Sequence, residues 1–270
     1  MLILSGPILG CNLKTIYKNI FDNAAKKGQS IGFISAGSVL YTEEEADLVS
    51  EFLNQYKISF VFTRDSYTYN FYNKKLNTVV FDGLCTSMFL DNATSPINLD
   101  SNHAVFNFSY FHDPEIIKTN GTWTVTKRRL FKPVQTTLSN YPIVRIKSSP
   151  YFPNVKFIKS TKLVFPRENM YYSDLPYGYL SILKSAKYVF SDRVHTCAAG
   201  LIFGSKCMYI KGGKRSKDGR NSIFSRLGLK DIYTEPVSLD FDYIKTEKEN
   251  MISKLRSLSS SKSAALVNDL

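Results

Sequence analysis

The chain has 270 residues, which is enough for one large domain or two small ones with separate hydrophobic cores. Its 19 Phe and 17 Tyr argue against a disordered chain, and its four Cys argue against a scaffold built on disulfides. The net charge of +12 resides in residues 101–270, which carry 27 Lys and Arg against 13 Asp and Glu, and predicts either an anionic ligand or a generally basic surface there.

Residues 1–100 alternate short apolar runs with helical patterns. The predicted order is strand 2–4, helix 13–27, strand 31–34, a helix that begins at Thr42, strand 58–62, helix 66–72 and strand 79–81. A loop of small residues is expected at 35–38, and Thr42 with Glu45 has the spacing of a capping box. Strands that alternate with helices predict parallel pairing and a three-layer α/β domain.

The rest of the chain shows two different sequence patterns. Residues 101–165 are rich in Tyr, Phe, Thr and Pro, with short strand-like runs at 104–108, 122–126 and 143–146. Alternation then returns as helix 176–184, strand 188–190, helix 196–203, strand 207–210, helix 221–227 and an amphipathic helix in the C-terminal tail. The returning alternation predicts a second region of parallel α/β structure.

The sequence also bears on location and metal binding. It has no run of 18 apolar residues, and its apolar start lacks the basic residues of a signal peptide, so we expect a cytoplasmic protein. The four Cys show no paired CxxC spacing and are expected to be reduced thiols. His195, Cys197 and Cys207 are too few ligands for a metal site, and none is predicted.

The most informative stretch follows the strand at 188–190 and reads Ser191-Asp192-Arg193-Val194-His195. In open α/β sheets ligands bind outside the carboxyl ends of the strands, so these side chains lie where a site is expected. Arg193 is a planar cation suited to a carboxylate or phosphate, and His195 can exchange a proton near neutral pH. The alternative is that Arg193 pairs with Asp192 while His195 is a satisfied core residue.

A second group of cations follows the strand at 207–210. It lies among Gly212, Gly213 and Gly219, which let the backbone approach a ligand closely. Its members that we assign to ligand binding are Lys214, Arg215, Lys217 and Arg220. A basic, glycine-rich loop after a strand can hold phosphate, and a flexible solvated loop fits this composition equally well.

These motifs resemble the polysaccharide pyruvyl transferase family. The hallmark of that family is a hydrophobic strand, then Ser-Asp-Arg-aliphatic-His, then a helix of small and apolar residues that ends in Gly, and residues 191–204 match it position by position. Arg64-Asp65, after the strand at 58–62, is similar to a family strand that ends in Arg-Asp. The family's Asn-x-Gly-Asp loop after the first strand has no counterpart in residues 6–12.

The resemblance implies two Rossmann-like domains that face a cleft as in the GT-B glycosyltransferases, with a shortened N-terminal one. We assign residues 1–100 to the acceptor side, 101–235 to the basic donor side, and 236–270 to a helical tail. The resemblance also implies transfer of the pyruvyl group of phosphoenolpyruvate to two hydroxyls of a glycan or glycan precursor, which forms a ketal and releases phosphate. No cofactor is expected besides this donor substrate.

On this hypothesis Arg193 holds an anionic group of the donor, His195 is the general acid and base, and Ser191 lines the donor site. Arg64 would reach the same donor, and Lys214, Arg215, Lys217 and Arg220 would add phosphate contacts. Two alternatives remain open: a GT-B glycosyltransferase that uses a nucleotide sugar, and a non-catalytic basic module that binds nucleic acid or an anionic membrane. Weak attraction to anionic lipid is also compatible with catalysis at the membrane face.

Overall fold

The structure is a computed structural model that describes residues 1–99, 102–108, 114–126, 141–146, 170–171, 176–211 and 222–268, with backbone alone at 170 and 259–268. The chain divides into two compact units. The described parts of Met1–Phe89, Lys217–Gly228 and Asp240–Leu270 form the first unit, and those of Leu90–Ser216 and Leu229–Leu239 form the second.

Strands and helices alternate along most of the described chain. In order they are β1 (Leu2–Leu9), α1 (Leu13–Lys26), β2 (Ile31–Ser38), α2 (Glu43–Leu53), β3 (Ile58–Thr63), α3 (Ser66–Tyr72), β4 (Val80–Asp82), α4 (Leu90–Ala93), β5 (His103–Asn107), β6 (Glu115–Thr119), β7 (Thr122–Thr126), β8 (Ile143–Ile146), β9 (Met170–Tyr171), α5 (Pro176–Ser185), β10 (Ala186–Ser191), α6 (Val194–Ile202), β11 (Lys206–Tyr209), α7 (Ser222–Arg226) and α8 (Phe241–Asn268). Among the described helices, none combines the length and the apolar character needed to cross a lipid bilayer.

The first unit contains a parallel sheet in the order β1-β2-β3-β4, which confirms the parallel pairing predicted from the alternation. Its core forms where the apolar faces of α1 and α2 meet the sheet, with Phe21 packed on Phe33 and Phe52. Pro7 is tolerated inside β1 because β1 is an edge strand, where a missing backbone donor costs no ladder hydrogen bond.

Two local predictions in this unit are corrected. The expected loop at 35–38 continues β2 instead, with Ser35 at a positive φ of 57° and a register shift between Phe33 and Ala36. A strand with a neighbour on each side satisfies its backbone through the sheet even where its residues are small, and a bulge absorbs the irregularity. Of the capping box only half forms: Thr42 Oγ1 accepts the Glu45 N–H at 3.2 Å, while the Glu45 carboxylate accepts backbone N–H groups of the preceding loop.

The helices α7 and α8 belong to the first compact unit, and the predicted acceptor side 1–100, donor side 101–235 and tail 236–270 stay predictions. Arg226 of α7 makes the connection. Its Nη1 donates to the Tyr243 hydroxyl at 2.5 Å, its Nη2 donates to the Glu247 carboxylate, and its Nε lies 3.5 Å from a carboxylate oxygen of Asp82. These partners come from α8 and from the end of β4, so Arg226 links three elements that are far apart in the sequence.

The second unit contains a parallel sheet in the order β11-β10-β5-β8-β9. On one face the antiparallel hairpin β6-β7 packs Trp123 against Phe190, with ring centroids 5.6 Å apart. The helix α6 packs on the strands β10 and β11. Its Gly200 has no room for a side chain, because a Cβ there would lie 2.8 Å from Cys207 Sγ and 2.9 Å from Val189 Cγ2. The small residues after the motif therefore let α6 approach the sheet closely.

Candidate functional site

The predicted motif lies at the carboxyl edge of the second sheet. Ser191 is the last residue of β10, and it is paired in register with Asn107, the last residue of β5, and with Tyr209, the last residue of β11. The chain then turns through Asp192 and enters α6 at Val194. Because β10 lies between two parallel neighbours, this turn opens at the edge where ligands bind in open α/β sheets.

Ser191 shapes this turn. It is fully buried, and its Oγ donates to the Asn107 carbonyl oxygen at 2.6 Å and accepts the Arg193 N–H at 2.9 Å. Both functions of the hydroxyl are therefore used inside the protein. These bonds fix the backbone conformation between Ser191 and Arg193. The expected contact of Ser191 with substrate stays a prediction.

Arg193 is the residue of this site whose environment most favours binding of an anion. It is the N-cap residue of α6, with an extended backbone (φ −110°, ψ 117°), and its side chain does not cap the helix. Its Nε is buried and has no hydrogen-bond partner among the described residues. A buried donor without a partner carries an unrecovered desolvation cost of about 1–3 kcal/mol, more for a charged group. An anionic ligand would remove that cost.

His195 lies in the first turn of α6 and is exposed, so the interpretation of this residue as a satisfied core histidine is wrong. The first helical hydrogen bonds run from Thr196 N and Cys197 N to the Arg193 carbonyl oxygen, both at 3.2 Å. The N–H groups of Val194 and His195 precede them, at the positive end of the helix dipole. Arg193, this helix end and the imidazole together can bind an anion and exchange a proton beside it.

Asn107 was not identified from the sequence. This residue is buried at the end of β5, and its Nδ2 donates to Thr196 Oγ1 at 2.8 Å. The available signal was a polar residue inside the apolar run at 104–108, but nothing in the sequence indicates which strand lies beside β10. Sheet order is a tertiary property, and it brings together residues 89 positions apart.

Arg64 belongs to the first unit, whereas Ser191, Arg193 and His195 belong to the second. It follows β3 and is buried; its Nη2 donates to the Tyr41 hydroxyl at 2.8 Å and its Nε to an Asp65 carboxylate oxygen at 3.3 Å. Burial, reinforced by the negative charge of Asp65, raises the pKa of Tyr41 to about 12. The guanidinium is thus engaged within its own unit, and the predicted contact of Arg64 with the donor stays a prediction.

The backbone around this guanidinium is shaped to admit it. A Cβ on Gly37 would lie 2.2 Å from Arg64 Nε, so the side chain crosses directly over a glycine of β2. On the other side, Asp65 caps α3 by accepting the Thr68 N–H at 2.8 Å. Arg64 and Asp65 therefore connect β2, the loop at Tyr41 and α3 within the first unit.

The remaining predicted residues, Lys214, Arg215, Lys217 and Arg220, lie outside the described residues. Just before them, Lys211 follows β11 and places its ammonium 4.3 Å from the centre of the Tyr233 ring. Within the described part of the chain, no three His, Cys, Asp or Glu residues lie close enough to hold a metal ion. Burial raises the pKa of the Cys197 and Cys207 thiols, as expected for unreactive core residues.

The chain was also compared with known proteins. No curated protein and no solved structure matches the chain significantly. A family model, however, matches residues 12–211, a stretch that includes Arg64 and the whole segment from Ser191 to His195. The description of that family is polysaccharide pyruvyl transferase.

Proposed function

Since this chain belongs to the polysaccharide pyruvyl transferase family and is therefore a transferase, we propose that it moves the pyruvyl group of phosphoenolpyruvate onto two hydroxyls of a glycan or glycan precursor. The product is a cyclic ketal, and inorganic phosphate is released. The observation that best supports this proposal is the buried Nε of Arg193, which has no partner among the described residues and belongs to a cation at the N-terminus of α6.

The two anionic groups of phosphoenolpyruvate match the two kinds of N–H donor at the start of α6. Phosphoenolpyruvate carries a carboxylate and a phosphate on one small carbon frame, so it needs two anion-binding groups close together. A guanidinium binds either group through paired N–H donors, and the first N–H groups of a helix bind the other. Arg193 and the first turn of α6 supply both on adjacent residues.

His195 accounts for the proton transfers. Its imidazolium gives a proton to the methylene carbon, which becomes a methyl group, while a sugar hydroxyl oxygen bonds to the neighbouring carbon and returns its own proton to the imidazole. The bond from that carbon to the phosphate oxygen then breaks, phosphate leaves, and the second hydroxyl takes its place. The proton of the second hydroxyl leaves with the phosphate. The two hydroxyls thus lose two protons in all; one restores the imidazolium that protonated the methyl group, and the other is carried away by phosphate.

Several finer points belong to the same proposal. The cations Lys214, Arg215, Lys217 and Arg220 add phosphate contacts, which the charge of residues 101–270 supports. Contact of Arg64 with the donor would use the N–H groups of its guanidinium that are not bonded to Tyr41 and Asp65. A GT-B-like arrangement of the two units rests on the family resemblance. A cytoplasmic location rests on the sequence arguments given above, and contact with an anionic membrane face rests on the excess of Lys and Arg.

The direct test is release of phosphate from phosphoenolpyruvate in the presence of nitrophenyl or lipid-linked sugars. We expect Arg193→Ala and His195→Ala each to lower kcat/KM by about a hundredfold or more, the size typical of a lost acid–base group. Lys187→Ala is the matched control, because it removes an exposed cation from β10, the strand that leads into the motif. Full activity of both site variants would contradict the assignment.

A binding test separates this function from that of a nucleotide-sugar transferase. Phosphoenolpyruvate is expected to raise the melting temperature, by an amount equivalent to about 2.7 kcal/mol at one hundred times Kd. Arg193→Ala should lose that stabilisation and Lys187→Ala should keep it. Stabilisation by a nucleoside diphosphate and not by phosphoenolpyruvate would instead favour the GT-B glycosyltransferase.

A further inference from the structure

We propose that Asn107 is a positioning residue of the transferase site, which holds Arg193 and His195 in place from the neighbouring strand β5. The proposal rests on the function proposed above. Asn107 touches neither of these two side chains in the described contacts; it acts through Ser191 and Thr196, which stand on either side of them in the chain.

The first contact is through the backbone. The carbonyl oxygen of Asn107 accepts the Ser191 hydroxyl at 2.6 Å, and the same hydroxyl accepts the Arg193 N–H at 2.9 Å. Asn107 thereby fixes the orientation of the hydroxyl that turns the chain toward α6. This bond uses backbone atoms of Asn107, so a side-chain substitution leaves it intact.

The second contact is through the side chain. The amide Nδ2 of Asn107 donates to Thr196 Oγ1 at 2.8 Å, and Thr196 is the third residue of α6. Asn107 is 4% exposed and Thr196 is half-buried, so this bond is partly shielded from water and an unmatched Asn107 amide would be costly. The bond ties the first turn of the helix to the edge of the sheet.

The two contacts bracket the functional residues. Arg193 and His195 lie between Ser191 and Thr196, so both ends of a six-residue segment are anchored to one residue of β5. The sheet register, with Ser191 opposite Asn107, makes that possible without any distortion of the ladder at these positions. Without the side-chain anchor, the start of α6 keeps its own helical bonds and the bond from the Arg193 N–H to Ser191, but Thr196, next to His195, is no longer tied to β5.

The experiment removes the side-chain bond from each end separately. Thr196→Val deletes the acceptor oxygen and keeps the branched shape, whereas Asn107→Leu deletes the donor and keeps a buried side chain of similar size. Thr196→Ser keeps the hydroxyl and is the rescue variant. Thr246→Val is the matched control, because Thr246 also lies in the first turns of a helix and its hydroxyl donates to the Asp242 carbonyl oxygen within α8.

We expect Thr196→Val and Asn107→Leu to lower kcat/KM for phosphoenolpyruvate by about tenfold or more, as small misplacements of catalytic groups do. The loss should fall mainly on kcat, because Arg193 remains to bind the donor while His195 loses its orientation. The double variant should be no worse than the poorer single variant, since both changes delete the same bond. Thr196→Ser should recover most of the activity.

A second readout does not depend on turnover. The chain has three His, so the ring C–H signal of His195 can be assigned in a proton NMR spectrum by its loss in His195→Gln. We expect the chemical shift of this signal to change in Thr196→Val and Asn107→Leu but not in Thr246→Val. Multiplicative losses of activity, or wild-type activity with an unmoved His195 signal, would overturn the proposal. If the wild-type chain releases no phosphate from phosphoenolpyruvate, the proposed function fails, and the His195 signal still decides whether Asn107 positions it.

Discussion

Substituting Gly37 by Ala tests the close passage of Arg64 over the sheet. The new Cβ would lie 2.2 Å from Arg64 Nε, 2.6 Å from Cζ and 2.8 Å from Cδ, far inside normal contact distance. The three nearest atoms all belong to this one side chain, which is buried and bonded to Asp65 and Tyr41. Because Gly37 does not have a positive φ, the backbone itself accepts alanine.

The cost follows from the two ways in which the structure can respond. If the guanidinium stays, the site is overpacked, which costs about 1–3 kcal/mol. If it swings out, buried Asp65 loses its cation, and breaking a buried pair costs about 3–5 kcal/mol. A contact of 2.2 Å cannot be relieved by a small adjustment, so we expect a loss of about 2–4 kcal/mol between these cases.

The assay is urea unfolding followed by circular dichroism and by tryptophan fluorescence. The chain has one Trp, and Trp123 lies in the second unit, so the fluorescence reports that unit while the dichroism reports the whole chain. Gly37 and Arg64 both lie in the first unit, so the loss of unfolding free energy in Gly37→Ala is expected in the dichroism transition.

A double-mutant cycle isolates the cause. In an Arg64→Ala background the clashing atoms are gone, and Gly37→Ala should cost nothing or stabilise by about 0.4–1 kcal/mol through the unfolded state. An equal loss in both backgrounds would refute the reasoning, because the cost would then come from something other than Arg64.

Two further predictions concern titration and thiol chemistry. Burial raises the pKa of Tyr41 to about 12, so between about pH 10 and pH 12 the unfolded chain binds fewer protons than the native one, and stability should fall as pH rises through this window. Tyr41→Phe should make the urea midpoint fall less steeply there, and an unchanged slope would contradict the assignment. Of the four Cys, only Cys11 is exposed, so a thiol reagent should modify one thiol in the native chain and four after unfolding, with Cys11→Ser abolishing the fast reaction.

The alternation of strands and helices was predictable because hydrophobic periodicity is a local property. Residues 66–72 form a helix as predicted, and strands 122–126 and 143–146 were placed at their observed bounds. The motif at 191–195 was placed correctly at the end of a strand, because an apolar run followed by polar residues and then by small ones has few other solutions in an α/β sheet.

The neighbours of that motif were decided only by tertiary structure. The strand-like run at 104–108 predicted β5 itself, but not that β5 lies beside β10 and supplies Asn107 to the turn. Arg64 was identified from the family resemblance and Arg193 also from its place after a strand. Arg64 is bonded to Asp65 and Tyr41 within the first unit, whereas Arg193 keeps a buried Nε without a partner among the described residues.

The sequence by itself thus determined the kind of fold, the family and the strand end that carries Arg193 and His195. It did not determine which cation is already paired, which strand lies beside the motif, or that α8 joins the first unit through Arg226. The physical reason is that patterns of period 2 and 3.6 report only which face of an element is apolar. Strand order and ion pairing depend on contacts between residues tens of positions apart, which the packed chain selects.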